Sequence, residues 1–299
     1  MIHPLLLVPL IVVVASALLF SFVFSKRSQN NLFINEKKLA NTLGVKGTLH
    51  AQDYKINVSF AQLKSFVDGF ELTAAIGLEF ELHIMPSAHS LLLMAEVALF
   101  ESEILTLEQV LINHGAFITA VHNHFVRENP KIIFLHFQAF GTEEQLGTLG
   151  RAVITTLKHL RSALEVLETI NPRLTDRFIK IINNRLPQKG TLHEGAVYKI
   201  KFKQPPFALT DHGTVMSASS WVTFQGTVTQ AATAGEFALT TEQVELFTQT
   251  LINNNIEVVA IHNHMLFEEP RIIFVHTWAT GSLEALVHGI AEALTTLNL

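Results

Sequence analysis

Residues Ala95 to Gly141 align with Gly235 to Gly281 at a constant offset of 140, without gaps and with 19 identities in 47 positions. A repeat this strong obliges the chain to build one fold twice. Its densest part pairs Ala120-Val121-His122-Asn123-His124 with Ala260-Ile261-His262-Asn263-His264. It then pairs Glu128-Asn129-Pro130-Lys131-Ile132-Ile133-Phe134-Leu135-His136 with Glu268-Glu269-Pro270-Arg271-Ile272-Ile273-Phe274-Val275-His276. Upstream, Lys46-Gly47-Thr48-Leu49-His50 matches Lys189-Gly190-Thr191-Leu192-His193 after small shifts. Each of these is preceded by a short helical pattern, Asn35 to Leu43 and Thr175 to Leu186. Asn171-Pro172 marks the junction, because the residue before proline is pushed out of the helical region. The chain is expected to divide into 1–30, a first repeat over 31–170 and a second over 171–299.

The second copy shows the order of elements best. Val197 to Phe202, Trp221 to Phe224 and Glu236 to Leu239 read as short strands. Thr241 to Asn253 carries Val244, Phe247 and Leu251 at helical spacing behind an N-capping threonine, Thr240 or Thr241. Glu257 to Leu266 and Arg271 to Ala279 are β-rich runs joined across Glu268-Glu269-Pro270, a connection short enough for a hairpin. Leu283, Leu286, Val287, Ile290 and Leu294 then line a closing amphipathic helix. The expected fold class is α+β: two tandem homologous modules, each a mostly antiparallel sheet with helices on one face. The elements resemble a ferredoxin-like split βαβ with extra strands in front.

Along a strand the side chains alternate faces, so His262 and His264 are expected on the same face. A turn centred on Glu269 sets His262 directly opposite His276, and the same arithmetic about Asn129 sets His122 opposite His136, beside His124. A one-residue slip would move the third histidine to the other face. Val259, Ile261, Ile273 and Val275 are left as an apolar surface for the helices. Three imidazoles with an open fourth position suit zinc or another divalent transition metal. Glu128 and Glu268, four residues after the second histidine of each copy, are auxiliary candidates, either as ligands or as ion-pair partners for Arg127 or Arg271. The competing reading packs the histidines as polar side chains where the two repeats meet. His50 and His193 recur at strand entrances and read as turn residues. His83, His89, His114, His159, His212 and His288 lack repeat partners and read as surface or local structure, while Trp221 and Trp278 read as core or interface aromatics.

Composition removes much other chemistry. The net charge is −5, with 21 basic and 26 acidic residues in no long block, so there is no footprint for a phosphate backbone and no nucleic-acid partner is expected. Cysteine is absent, which rules out disulfides, thiolate metal sites and thiol nucleophiles within this sequence. Nucleophile-elbow, dinucleotide, phosphate-loop and H-E-x-x-H motifs are missing.

From Leu5 to Phe24 the chain is apolar apart from Ser16 and Ser21, long enough for a helix across a bilayer core of roughly 30 Å. It reads as a single-pass transmembrane anchor or an uncleaved signal, with a cleaved secretory signal as the alternative. Lys26 and Arg27 behind the span argue for a cytoplasmic body.

The His-Asn-His element, the Glu-x-Pro-(Lys/Arg)-Ile-Ile-Phe-x-His element and the Ala-x-Gly before the last helix together resemble the LppY/LpqO family of bacterial envelope proteins. Gly235-Glu236-Phe237-Ala238-Leu239 and Ser220-Trp221 fit the same pattern. The resemblance spans nearly everything after residue 31 and implies an exported or envelope-attached protein of unknown biochemical activity. This sequence lacks the lipoprotein cysteine, so attachment would fall to Leu5 to Phe24. Glu81 stands where the second copy has Trp221, and Ala95 where it has Gly235, so the copies need not act equally. Three functions follow as expectations: a membrane-anchored protein binding a divalent metal or small polar ligand, a metal-dependent enzyme using Glu128 or Glu268 as acid or base, and a structural or interaction protein.

Overall fold

Helix starts are written locally. In the computed structural model, which describes residues 34–87, 90–169, 171–202, 209–211, 214–216 and 218–298, α1 (Glu36–Leu43) opens on Asn35, whose side chain accepts from Lys38 N at 3.0 Å. Four short strands follow: β1 (Thr48–His50), β2 (Asp53–Val58), β3 (Ser65–Val67) and β4 (Phe70–Leu72). Then come β5 (Phe80–Pro86), β6 (Leu91–Phe100), α2 (Ile104–Asn113), β7 (Phe117–His122), β8 (Ile132–Gly141) and α3 (Glu143–Leu160). The second copy repeats this with α4 (Asp176–Asn183), capped by Thr175, then β9 (Thr191–His193), β10 (Val197–Phe202), β11 (Leu209–Asp211) and β12 (Thr214–Met216). It continues through β13 (Ser220–Gly226), β14 (Ala231–Thr240), α5 (Thr241–Asn253), β15 (Glu257–His262), β16 (Glu268–Glu269), β17 (Ile272–Gly281) and α6 (Leu283–Thr295). The anchor segment Leu5 to Phe24 lies outside the described residues. Among those described, no helix is long and apolar enough to cross a membrane.

The two main sheets have the same order, β1-β2-β5-β6-β8-β7 and β9-β10-β13-β14-β17-β15, with antiparallel pairing throughout. In each, the strand after the second helix, α2 or α5, returns to the far side of its successor, so β8 separates β6 from β7 and β17 separates β14 from β15. This is the split βαβ expected from the sequence, extended by the earlier strands. Gly47 and Gly190 start the edge strands under close approach. A Cβ on either would stand 2.6 Å from a carbonyl oxygen, of Lys55 and Lys199 respectively.

Helices cover the outer face of each sheet. Leu39, Leu107, Leu149 and Val153 bury against Leu82, Val97 and Phe137 in the first copy, and Phe178, Phe247, Val287 and Ile290 against Ile200, Phe224 and Val275 in the second. The inner faces meet each other. Trp278 Nε1 donates to Asp68 at 2.9 Å and its ring takes the edge of Phe125, while Gln225 Nε2 donates to the Glu71 carbonyl at 3.2 Å. The apolar surface expected for the helices holds only in part. Val275 lies beneath them, but a bulge between Val258 and Ala260 breaks the alternation, Val259 packs with the first copy's core, and Ile261 on the edge strand stays 53% exposed.

A buried ion pair lies under the first sheet. Arg161, 1% exposed, donates from Nε and Nη2 to Glu103 at 2.7 and 2.6 Å and from Nη2 to the Ala98 carbonyl at 2.9 Å. Arg127 bridges the copies to Glu257 at 2.8 Å, but the two side chains are 47% and 50% exposed. Removing one partner of a buried pair strands a charge, whereas water screens an exposed one. Urea denaturation is expected to show Arg161→Ala losing about 3–5 kcal/mol and Arg127→Ala no more than about 1 kcal/mol.

Candidate functional site

Each copy brings its histidines to the inner face by three different means. His122 and His262 end the edge strands β7 and β15. His124 and His264 lie beyond those strands, in loops that Asn123 and Asn263 fold back by donating Nδ2 to the Phe125 and Met265 carbonyls at 2.8 and 2.5 Å. His136 and His276 sit mid-strand in β8 and β17. Strand alternation therefore does not account for the second histidine, as the sequence expectation had it. The register also differs: His122 faces Phe134 and Ala120 faces His136, with His262 facing Phe274 and Ala260 facing His276 in the second copy. The shift of two residues preserves the face, so the third histidine stays inward. Its cause is that the connecting loop is not a tight hairpin turn. Asn129 pairs with Phe66 of β3, and β16 pairs with β11, drawing each loop onto a separate small hairpin.

The six rings form one cluster across the copies. His122 meets His262 at 3.7 Å between ring centroids, His124 meets His276 at 3.8 Å and His136 meets His264 at 3.9 Å. Exchanging the copies at the offset of 140 maps this set onto itself, so the cluster has an approximate twofold axis. His124 also stacks on Phe134 at 3.5 Å and His264 on Phe274 at 3.7 Å, which holds both loop histidines flat. His124 and His276 are 2% exposed and His136 7%; the other three are half-buried.

Burial keeps these rings neutral. It pushes His122 down to about 3, helped by the nearby His262, and lowers His262 as well. His124, His136, His264 and His276 fall well below the usual histidine range through burial first and their imidazole neighbours second. A neutral imidazole presents a lone pair. Among the described residues, Nε2 of His122, His136, His262, His264 and His276, and both ring nitrogens of His124, are buried without a hydrogen-bond partner. His122, His124, His136 and His264 could hold a metal ion, as could His262, His264, His276 and His124, for in each set one donor atom per residue lies within 4.8 Å of the others. The fourth donor in each set thus comes from the opposite copy.

Two carboxylates that the sequence reading passed over join the cluster. Glu96 pairs with His136 across β6 and β8, and Glu236 with His276 across β14 and β17. Their oxygens stand 3.3 and 3.7 Å from the ring Nε2 atoms. Together with His124 and His264 they form a third group whose donors lie within 4.8 Å of one another. Burial and its carboxylate neighbours, Glu236 foremost, raise Glu96 well above the carboxylate range; burial lifts Glu236 to about 7 against the pull of Lys199. A signal existed: each is the one charge in its strand, and they coincide at the offset of 140.

Glu128 and Glu268 are placed elsewhere. Glu128 pairs with Lys131 at 2.9 Å and Glu268 with Arg271 at 3.4 Å, and neither joins a converging donor set. His50 and His193 end the strands at the opposite sheet edges from β7 and β15. His83 has a defined role. Its nitrogens lie 2.7 Å from Asp53 and 2.9 Å from Glu81, and although burial opposes it these carboxylates raise the ring to about 9. Trp221 lies beneath the Lys199 ammonium, 4.3 Å from its ring centroid, and Trp278 is a buried interface residue.

Residues 37–156 and 180–296 each match the family described as Domain of Unknown Function (DUF1259). No curated protein matches the chain. Among solved structures, the fused permuted hexameric shell protein MSM0275 from the RMM microcompartment aligns at 10% identity over 83% of this chain and 96% of that one. Its TM-score is 0.19, and a likeness of that size carries no argument.

The depressed histidines set a pH dependence for the metal-free chain. Below about 6.5 the unfolded chain takes up protons that the six folded rings refuse, so stability falls with pH by up to about 1.4 kcal/mol per unit for each ring. Glu96 and Glu236 work in the opposite sense, since the folded chain keeps protons that the unfolded chain loses above about 4.3. Glu79, Glu268 and His83, also raised, act with the two carboxylates, and His193, lowered by burial, acts with the six rings, so seven imidazoles outweigh five opposing groups. Thermal melting of chelator-treated protein is expected to show Tm falling from pH 7 to pH 5, and an unchanged Tm would mean that the rings protonate in place.

Proposed function

The chain belongs to the family described as Domain of Unknown Function (DUF1259), and we propose that it is a membrane-anchored envelope protein that binds a divalent transition metal such as zinc where its two domain copies meet. One observation carries the reading: seven buried ring nitrogens from six neutral histidines converge with no hydrogen-bond partner among the described residues, and two of them are approached only by Glu96 and Glu236 oxygens at 3.3 and 3.7 Å. An unpartnered buried polar atom costs about 1–3 kcal/mol, so a fold that gathers seven has a reason to fill the space between them. Nitrogen donors from His122, His124, His136, His262, His264 and His276, without any thiolate, suit zinc and its borderline neighbours over thiophilic ions. The ligand sets draw on both copies, so binding would also fasten the repeats together. The envelope location is supported by the LppY/LpqO resemblance and by Leu5 to Phe24 as the attachment.

The packing alternative has an observation in its favour, because the rings do stack at the repeat interface, His122 on His262 at 3.7 Å. Stacking leaves the nitrogen lone pairs unused, however, and a purely structural interface would be served as well by phenylalanine. A metal-dependent enzyme with Glu128 or Glu268 as acid or base draws no support from their ion pairs with Lys131 and Arg271.

Metal analysis of the purified full chain tests the reading. Bound divalent metal is expected in the native protein and its loss in His262→Ala/His264→Ala; stoichiometric metal persisting in that variant would sink the assignment. At about 100 times the dissociation constant, added Zn²⁺ is expected to stabilise the native chain by about 2.7 kcal/mol. Deleting residues 1–30 is expected to move the protein from the membrane fraction to the soluble fraction, and retention in the membrane would exclude the Leu5 to Phe24 anchor.

A further inference from the structure

The twofold character of the cluster bears on how many ions it takes. A single ion on the axis would be held by the one set that the axis maps onto itself, Glu96, Glu236, His124 and His264. That arrangement leaves His122, His136, His262 and His276 without a ligand to bind, and their Nε2 atoms are among the unpartnered ones. An ion off the axis, in the set of His122, His136 and His264 with His124, has an equivalent place in the set of His262, His276 and His124 with His264. Two ions therefore use every ring and one does not.

Eight donors are present, six imidazoles and two carboxylates. Two of the three cross-copy contacts divide the rings into two equal triads, and the third, His122 on His262, joins the triads to each other. His122 and His136 take His264 from the second copy, which lies against His136, and His262 and His276 take His124 from the first, which lies against His276. Each triad has a carboxylate beside its mid-strand histidine, Glu96 at His136 and Glu236 at His276. Both carboxylates also fall within 4.8 Å of the donors of His124 and His264, the rings that belong to both four-histidine sets. A carboxylate with two oxygens in that position reaches from one triad to the other. Among the described residues neither carboxylate has a lysine or arginine ion-pair partner, and burying it unpaired would otherwise be costly.

We propose that the repeat interface is a two-ion centre, with one divalent metal on His122, His136 and His264, a second on His262, His276 and His124, and Glu96 and Glu236 bridging them. The inference rests on the metal-binding reading above and adds its stoichiometry and its carboxylate ligands. Two ions held this way would stand about 3.5–4 Å apart, the spacing of two-metal sites that share a bridging oxygen. Mixed imidazole and carboxylate donors suit manganese, iron, cobalt and zinc, and copper as a probe.

The test counts ions and asks whether they sense each other. The full chain is stripped with chelator, loaded with Cu²⁺, desalted, and measured by plasma mass spectrometry and electron paramagnetic resonance. Two coppers per chain are expected, with a spin-coupled spectrum, and Glu96→Gln/Glu236→Gln is expected to weaken the second copper at least tenfold and abolish the coupling. One copper per chain would overturn the two-ion centre while leaving the metal-binding reading intact. Two uncoupled coppers would overturn the carboxylate bridge, and none would overturn both readings. The count on the native chain decides even if the double variant does not fold.

Discussion

The contact of six uncharged imidazoles across the repeat interface is the constraint to which the rest of the structure answers. It requires two sheets to present the same polar face to each other, which in turn requires the helices of both copies to lie outside. The apolar residues follow this demand. Leu39, Leu149 and Val153 in one copy, and Phe178, Val287 and Ile290 in the other, bury on outer faces that helices can cover. Around the histidines the inner faces are completed by aromatic rings, Phe134 under His124 and Phe274 under His264, which give the loop imidazoles a flat surface without competing for their nitrogens.

Electrostatics separates this interface into two zones. At the cluster, burial holds the rings neutral and keeps Glu96 and Glu236 above their usual range. Beside it the charges are paired. Burial would raise Glu81, but His83 and Lys55 hold it well below the ordinary carboxylate value. Lys199, lowered to about 8 mainly by burial, is the cation facing both Glu96 and Glu236. The copies differ here. Glu81 next to Glu96 is replaced by Trp221 next to Glu236, so one side of the cluster borders an acid and the other an indole. A duplicated scaffold has kept its metal-capable residues symmetric while its surroundings have diverged.

Much of this was legible in the amino-acid sequence because it is encoded locally. Thr241 to Asn253 is a helix with the expected bounds, Val197 to Phe202 is a strand with the expected bounds, and of the two threonines expected as N-cap it is Thr240 that takes the position. The site histidines were legible too, since they recur at a fixed offset. Three features were not. His124 reaches the cluster through an Asn123-folded loop rather than by strand alternation, and the hairpin register moved by two residues because the loop pairs with β3. Glu96 and Glu236 recur at the offset of 140, but a single charge in a strand has no local meaning until its neighbours across the sheet are known.

The sequence by itself determined that one module occurs twice, the order of its elements, and the residue types available to a site: many imidazoles, carboxylates and no thiols. Local backbone preference and side-chain periodicity are properties of neighbouring residues, and so they can be read along the chain. Tertiary structure alone decided that His264 joins the first copy's converging imidazoles and His124 the second's, and that Glu96 and Glu236 converge with those two rings. Those contacts join residues about 140 positions apart, and only the docking of two sheets face to face selects them. No short stretch of chain records which surface its own duplicate will cover.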